Sequence, residues 1–138
     1  MALHIAYATL WVRDQDEALA FFETLGFEVR EDVTSGEYRW LSVASKEQPD
    51  LAVVLAKPGF PMDQAASDCV ASAVAKGMLS SIVFTTEDCF AAYEELKTKG
   101  IEFTRPAGDR GYAVDAAFRD PSGNEFRLVQ TATQTAKA

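Results

Sequence analysis

An α+β fold of two βαβββ modules is what this sequence predicts, and three observations predict it. A weak internal repeat runs through the 138 residues: Asp14, Gly26 and Glu28 recur as Asp88, Gly100 and Glu102, each 74 positions on. An apolar, β-branched run precedes each copy, ATLWV in one case and SIVFTT in the other, and further strand-like runs follow. The chain is also 48% hydrophobic, enough for one core at this length and too little for two well-built domains. The expected plan is a single domain over 1–138. Module one covers about 4–57, a connecting segment with a helix about 58–79, module two about 80–131, and a frayed polar tail 132–138.

Residues 1–12, MALHIAYATLWV, are apolar and read as the first strand of a mature chain. Asp14 then opens a helix, with Glu17 three residues on to complete a capping-box pair, and Ala18, Phe21, Phe22 and Leu25 form its apolar stripe. Gly26 stops it. Strands are expected near 27–32, 38–44 and 50–56, separated by turns at Ser35-Gly36 and Gln48-Pro49-Asp50. An alanine-rich helix near 63–76 bridges the halves. In the second half Asp88 opens a helix with the stripe Ala92, Tyr93 and Leu96, and Gly100 closes it. Strands near 101–105, 112–119 and 124–130 complete the repeat, with Asp120-Pro121-Ser122-Gly123 shaped as a type I turn.

Composition excludes several classes of function. A formal charge of −8 and a pI near 4.6 oppose binding to a phosphate backbone, so no nucleic acid partner is expected. No run approaches the roughly 20 apolar residues that cross a bilayer, and a cytoplasmic protein without a membrane partner is expected. Two cysteines, Cys69 and Cys89, and one histidine, His4, form no metal or redox spacing; both thiols are expected to be reduced and at least partly packed. No serine or cysteine has a histidine base that the sequence places nearby, so nucleophilic catalysis is not expected.

The runs VRDQDEALAFFETLGFEVR, RWLSVA with DLAVVLAKPG, and FRDPSGNEFRLVQ, in this order and spacing, resemble the vicinal oxygen chelate superfamily, the glyoxalase, bleomycin-resistance and dioxygenase group. The likeness covers residues 4–131. It implies sheets curled around a cup with the helices outside, and often a dimer, sometimes with shared cups. In metal-dependent members, His, Glu or Gln ligands occupy cup-facing strand positions. By alignment those slots fall here at Tyr7, near Val54, near Ser81 and at Arg127. Tyr, Val, Ser and Arg are no divalent-metal set, because a guanidinium stays protonated. Nor does His4 replace them, since it lies three positions from Tyr7 and faces the other side of a regular strand.

If the slots face the cup, strand alternation adds Thr9, Trp11, Tyr38 and Trp40 to that surface and turns Leu10 and Val12 towards the helix. The aromatic residues either grip a planar ligand or simply fill the cup. An inward Arg127 needs a carboxylate, from a ligand or from a neighbour such as Glu125 or Asp115; the strand register that would decide for Asp115 is not readable from the sequence. The segment at 59–64, with Phe60 and Met62, either overhangs the cup or is a plain connection.

The expected function is therefore metal-independent and cofactor-free: binding of a planar or aromatic small molecule in the cup, as in bleomycin-resistance-type proteins. The ligand-binding candidates are Tyr7, Thr9, Trp11, Tyr38, Trp40, Val54, Ser81, Asp115 and Arg127, acting in a homodimer. Two other readings stay open. One is an enzyme of the same superfamily with a displaced or absent metal site, and the other is an interaction module whose cup is filled by its own side chains.

Overall fold

Among the described residues three helices form, and an aspartate begins each, satisfying an orphan N–H of the first turn. Asp14 accepts from Glu17 N ahead of α1 (Gln15–Thr24), Asp63 from Ala66 N ahead of α2 (Gln64–Ala75), and Asp88 from Ala91 N ahead of α3 (Cys89–Thr98). The capping box expected at Asp14 is only half built. Glu17 does not reach back to the cap, because both of its carboxylate oxygens take the Arg13 guanidinium at 2.9 Å.

The computed structural model describes residues 1–80 and 82–131. Its strands are β1 (Tyr7–Trp11), β2 (Glu28–Ser35), β3 (Tyr38–Ala44), β4 (Ala52–Ala56), β5 (Val83–Thr86), β6 (Glu102–Asp109), β7 (Val114–Arg119) and β8 (Glu125–Gln130). The order is βαβββ twice, with α2 between, as the repeat predicts. The described residues form two four-stranded mixed sheets with three helices, an α+β fold. Two compact units result, one of residues 1–80 with the turn 121–124, the other of the described residues 82–120 and 125–131. The expected tail at 132–138 lies outside the described residues.

In the first unit the sheet runs β1-β4-β3-β2, with β1 parallel to β4 and the other pairs antiparallel. Alternation divides its two faces. Leu10, Val12, Leu41, Val43 and Leu55 are buried on the face covered by α1, against Ala18, Phe21 and Phe22. The first strand is shorter than its apolar sequence suggests: it begins at Tyr7, and His4 lies before it, exposed, so strand parity does not govern that residue.

The second unit repeats this plan in the order β5-β8-β7-β6. Its core is more aromatic. Phe84 stacks on Phe118, Phe126 meets both, and Tyr93 of α3 closes on Phe103 edge to face at 4.6 Å. Cys89, wholly buried at the start of α3, has its thiol pKa pushed up by burial and then by the nearby Asp115 carboxylate, which makes it an inert packing group. Cys69 of α2 is exposed.

The DPSGN stretch has a packing role. Its turn joins β7 to β8, yet residues 121–124 lie with the first unit: the Ser122 hydroxyl accepts from Arg13 N at 3.0 Å, and the Asn124 amide donates to Trp11 O at 2.9 Å. Gly123 has φ of +110°, and a side chain there would meet the Val74 and Ala75 carbonyl oxygens at 2.8 Å. Gly123→Ala is therefore expected to cost about 2 kcal/mol or more, from backbone strain plus the clash, read as a lowered urea midpoint.

Candidate functional site

The face of the first sheet turned away from α1 carries aromatic, hydroxyl and apolar groups in register. Thr9 lies beside Val54, Val54 beside Ser42, and Ser42 beside Glu31. Two residues along β1 from that row stands Trp11, two residues the other way stands Tyr7, and Trp40 pairs with Val33. Thr9, Trp11, Tyr38, Trp40 and Val54 line one cavity of about 190 Å³, together with Gly59, Phe60, Pro61 and Met62. Five of the nine sequence-predicted residues thus line one cavity, and residues 59–62 share its lining.

Tyr7 lies on the same face beside the cavity, packed edge to face on Trp40 at 5.3 Å between ring centres. Its hydroxyl leads to a residue that sequence reasoning missed. The Glu31 carboxylate accepts three hydrogen bonds on one oxygen, from Trp40 Nε1 at 2.8 Å, Ser42 Oγ at 3.0 Å and Tyr7 Oη at 3.0 Å. The donors from Trp40 and Ser42, with a smaller contribution from Tyr7, hold Glu31 below the usual carboxylate range, while its bond to Tyr7 raises the phenol. Glu31 is thus an anionic acceptor at neutral pH, and Trp40 is fixed by it in one orientation.

A β-bulge puts Glu31 there. Val29 pairs with Val43 on the α1 face, the register then slips by one, and Glu31 pairs with Ser42 on the opposite face, leaving Arg30 as the extra residue. In an unbroken ladder Arg30 would stand opposite Ser42. The second sheet slips at the corresponding point, between Phe103 and Arg105, each 74 positions beyond its counterpart. The internal repeat is the one signal in the sequence that links position 31 to 105.

In the second unit the corresponding face is ionic. Arg127 and Asp115, which the sequence could not bring into register, do share it: Arg127 pairs with Ala117, Asp115 with Val129, and the Arg127 Nη2 to Asp115 Oδ2 distance is 2.6 Å. The carboxylate partner of Arg127 is therefore Asp115. Burial pushes the Asp115 carboxyl up, but hydrogen bonds from Arg127, Arg110 and Arg105 outweigh it and hold the group at about 2. Ser81 lies outside the described residues.

A pair of βαβββ units, one presenting a cavity-forming aromatic face and the other an arginine-rich one, defines the class of α+β protein to which the comparisons with known proteins also point. The chain belongs to the Glyoxalase/Bleomycin resistance protein/Dioxygenase superfamily, whose profile matches residues 4–128. It is similar to the crystal structure of UcmS2, with 40% identity and a TM-score of 0.88 over 95% of this chain and all of that one. It is also similar to TnmS3, an antibiotic binding protein from Streptomyces sp. CB03234, with 28% identity and a TM-score of 0.73 over 96% and 99% of the two chains. Among curated sequences, the uncharacterized protein YurT of Bacillus subtilis (strain 168) is 33% identical over 129 residues, 93% of this chain and 99% of that one.

Some members of this superfamily hold a divalent metal, and the residues here do not fit one. Tyr7 and Arg127 each carry other hydrogen bonds, Val54 has no donor atom, and among the described residues no three His, Cys, Asp or Glu side chains gather into a metal site. No chemical step is derived through a metal.

Asp115 makes a pH prediction with a definite sign. Its folded pKa of about 2 lies below the ordinary 3.8, so its contribution to stability is full above about pH 4 and is lost as pH falls towards 2. Asp115→Asn should lower stability by about 2 kcal/mol at neutral pH, reduced from a fully buried pair's cost because the guanidiniums are partly exposed. The gap from the wild type, followed by urea denaturation, should shrink between pH 4 and pH 2.

Proposed function

We propose that this chain binds a planar, aromatic small molecule on the cavity face of its first unit, without a metal, through contacts from Tyr7, Thr9, Trp11, Tyr38, Trp40 and Val54. The observation that supports it most is the joining of Trp11, Tyr38, Trp40 and Phe60 around one cavity while Glu31 locks the Trp40 ring in place. A ring whose orientation is already fixed loses little freedom when a ligand stacks on it, which raises affinity for a given contact area. At about 190 Å³ the cavity is below the roughly 300 Å³ at which drug-sized sites begin, so it suits one or two fused rings, or one end of a larger planar compound. The likeness to an antibiotic binding protein supports a small-molecule ligand.

The Glu31 carboxylate acts on the site through the rings it holds, accepting from Trp40 and Tyr7 on one oxygen. The working form in this proposal is a cytoplasmic homodimer, for which sedimentation would read twice the 15.1 kDa chain mass.

Titration of a panel of planar aromatic compounds, followed by fluorescence of Trp11 and Trp40, tests the proposal. Saturable quenching is expected, and Trp40→Phe should weaken binding about tenfold, the loss of one well-packed aromatic contact with its hydrogen-bonded anchor. An absence of quenching across a chemically broad panel would reject the site.

A further inference from the structure

Three guanidiniums in the second unit converge on one buried carboxylate. Arg105 Nη2 reaches the two Asp115 oxygens at 3.0 and 3.1 Å, Arg110 Nε reaches Oδ1 at 2.9 Å, and Arg127 reaches Oδ2 through Nη2 at 2.6 Å and Nε at 3.2 Å. Five N–H contacts thus crowd a carboxylate with about four lone-pair sites. Three cations against one anion leave a formal charge of +2, inside a chain whose net charge is −8. Anchoring Asp115 needs no such surplus, since one bidentate arginine satisfies a buried carboxylate, and each additional guanidinium brings like-charge repulsion.

The three arginines differ in what they have left to offer. Arg110 is the most covered, and its Nη2 is also bound to the carbonyl oxygens of Pro106 and Asp115; it lies where Gly108 leaves room, since a Cβ at that glycine would come within 2.5 Å of Arg110 Nη1. Arg105 and Arg127 have side chains 45% and 48% exposed. They stand in one cross-strand row, on either side of Ala117. Adjacent strands are about 4.8 Å apart, so their stems are separated by about 10 Å over a methyl-sized floor. Arg127 bonds Asp115 through Nε and Nη2, which leaves Nη1 outside that contact, and Arg105 bonds Asp115 through Nη2 alone, with Tyr112 as its other neighbour.

The acidic groups on this sheet are engaged elsewhere. Glu125 sits opposite Arg119 and takes the Thr104 hydroxyl, and Glu102 pairs with Arg119 at 3.4 Å. We propose that Arg105 and Arg127, spread across Ala117 and oriented by Asp115, bind an oxyanion, a carboxylate or phosphate group carried by a small molecule. An incoming anion would relieve the repulsion between the two guanidiniums and use the planar forks that suit such groups. All of its residues belong to the second unit.

Titrating the full chain with benzoate, and separately with inorganic phosphate, at ionic strength held constant with chloride, tests it through the Arg Nε–Hε NMR resonances. Saturable shifts at Arg105 and Arg127 are expected with at least one of the two. Benzoate alone would identify a carboxylate source, phosphate alone a phosphate source. Arg105→Gln and Arg127→Gln should each weaken binding about tenfold or more, whereas Lys46→Gln, the same charge change at an exposed residue of the first unit, should leave it unchanged. Shifts that never saturate for either anion, or equal weakening in Lys46→Gln, would overturn the proposal. The wild-type titration decides the question even if the glutamine variants fail to fold.

Discussion

A one-residue slip in strand pairing decides what both candidate sites are made of. Because side chains alternate along a strand, inserting one residue turns everything after it to the other face. At Val29 and Glu31 the slip brings a carboxylate onto the face that carries Tyr7, Trp40 and Ser42; at Phe103 and Arg105 it brings a guanidinium onto the face that carries Asp115 and Arg127. The same backbone irregularity thus serves opposite charges in the two halves. Position 31 carries a carboxylate that takes neutral donors and position 105 a guanidinium that joins Arg110 and Arg127 on Asp115, and the second sheet slips once more between Arg105 and Gly108.

Burial then separates the two sites energetically. Glu31 sits in a partly exposed place and is held by uncharged donors, so its role is to fix the geometry of neighbouring rings. Asp115 is fully buried and remains ionised only because guanidiniums surround it. On the opposite faces of both sheets the packing is apolar, with Phe22 and Leu41 in one unit and Phe118 and Phe126 in the other. Each sheet therefore has one apolar packing face and one polar face, set by alternation and by the slip.

Much of this architecture was legible in the sequence. The 74-residue repeat gives the βαβββ order, Asp14 and Asp88 mark the starts of α1 and α3, and the family resemblance together with period-two alternation points to Thr9, Trp11, Tyr38, Trp40 and Val54 as one face. Where prediction fell short, a long-range contact decided the outcome. Glu31 lies in the run EVRED, which has no alternation to read, and only its pairing with β3 assigns its face. Register also settles the Asp115 partnership, and Arg105 and Arg110 join it from a bulged strand and the turn after it. The expected capping box failed because Arg13 competes for Glu17. Residues 1–6 are apolar enough for a strand, but composition cannot show that β1 begins only at Tyr7.

The contrast between the two sulfurs has a practical side. Cys69 lies open on α2, while Cys89 is shut inside the other unit with its ionisation suppressed. A maleimide dye or spin label would accordingly attach at one defined point of the wild-type chain, giving a reporter that requires no engineering of the protein.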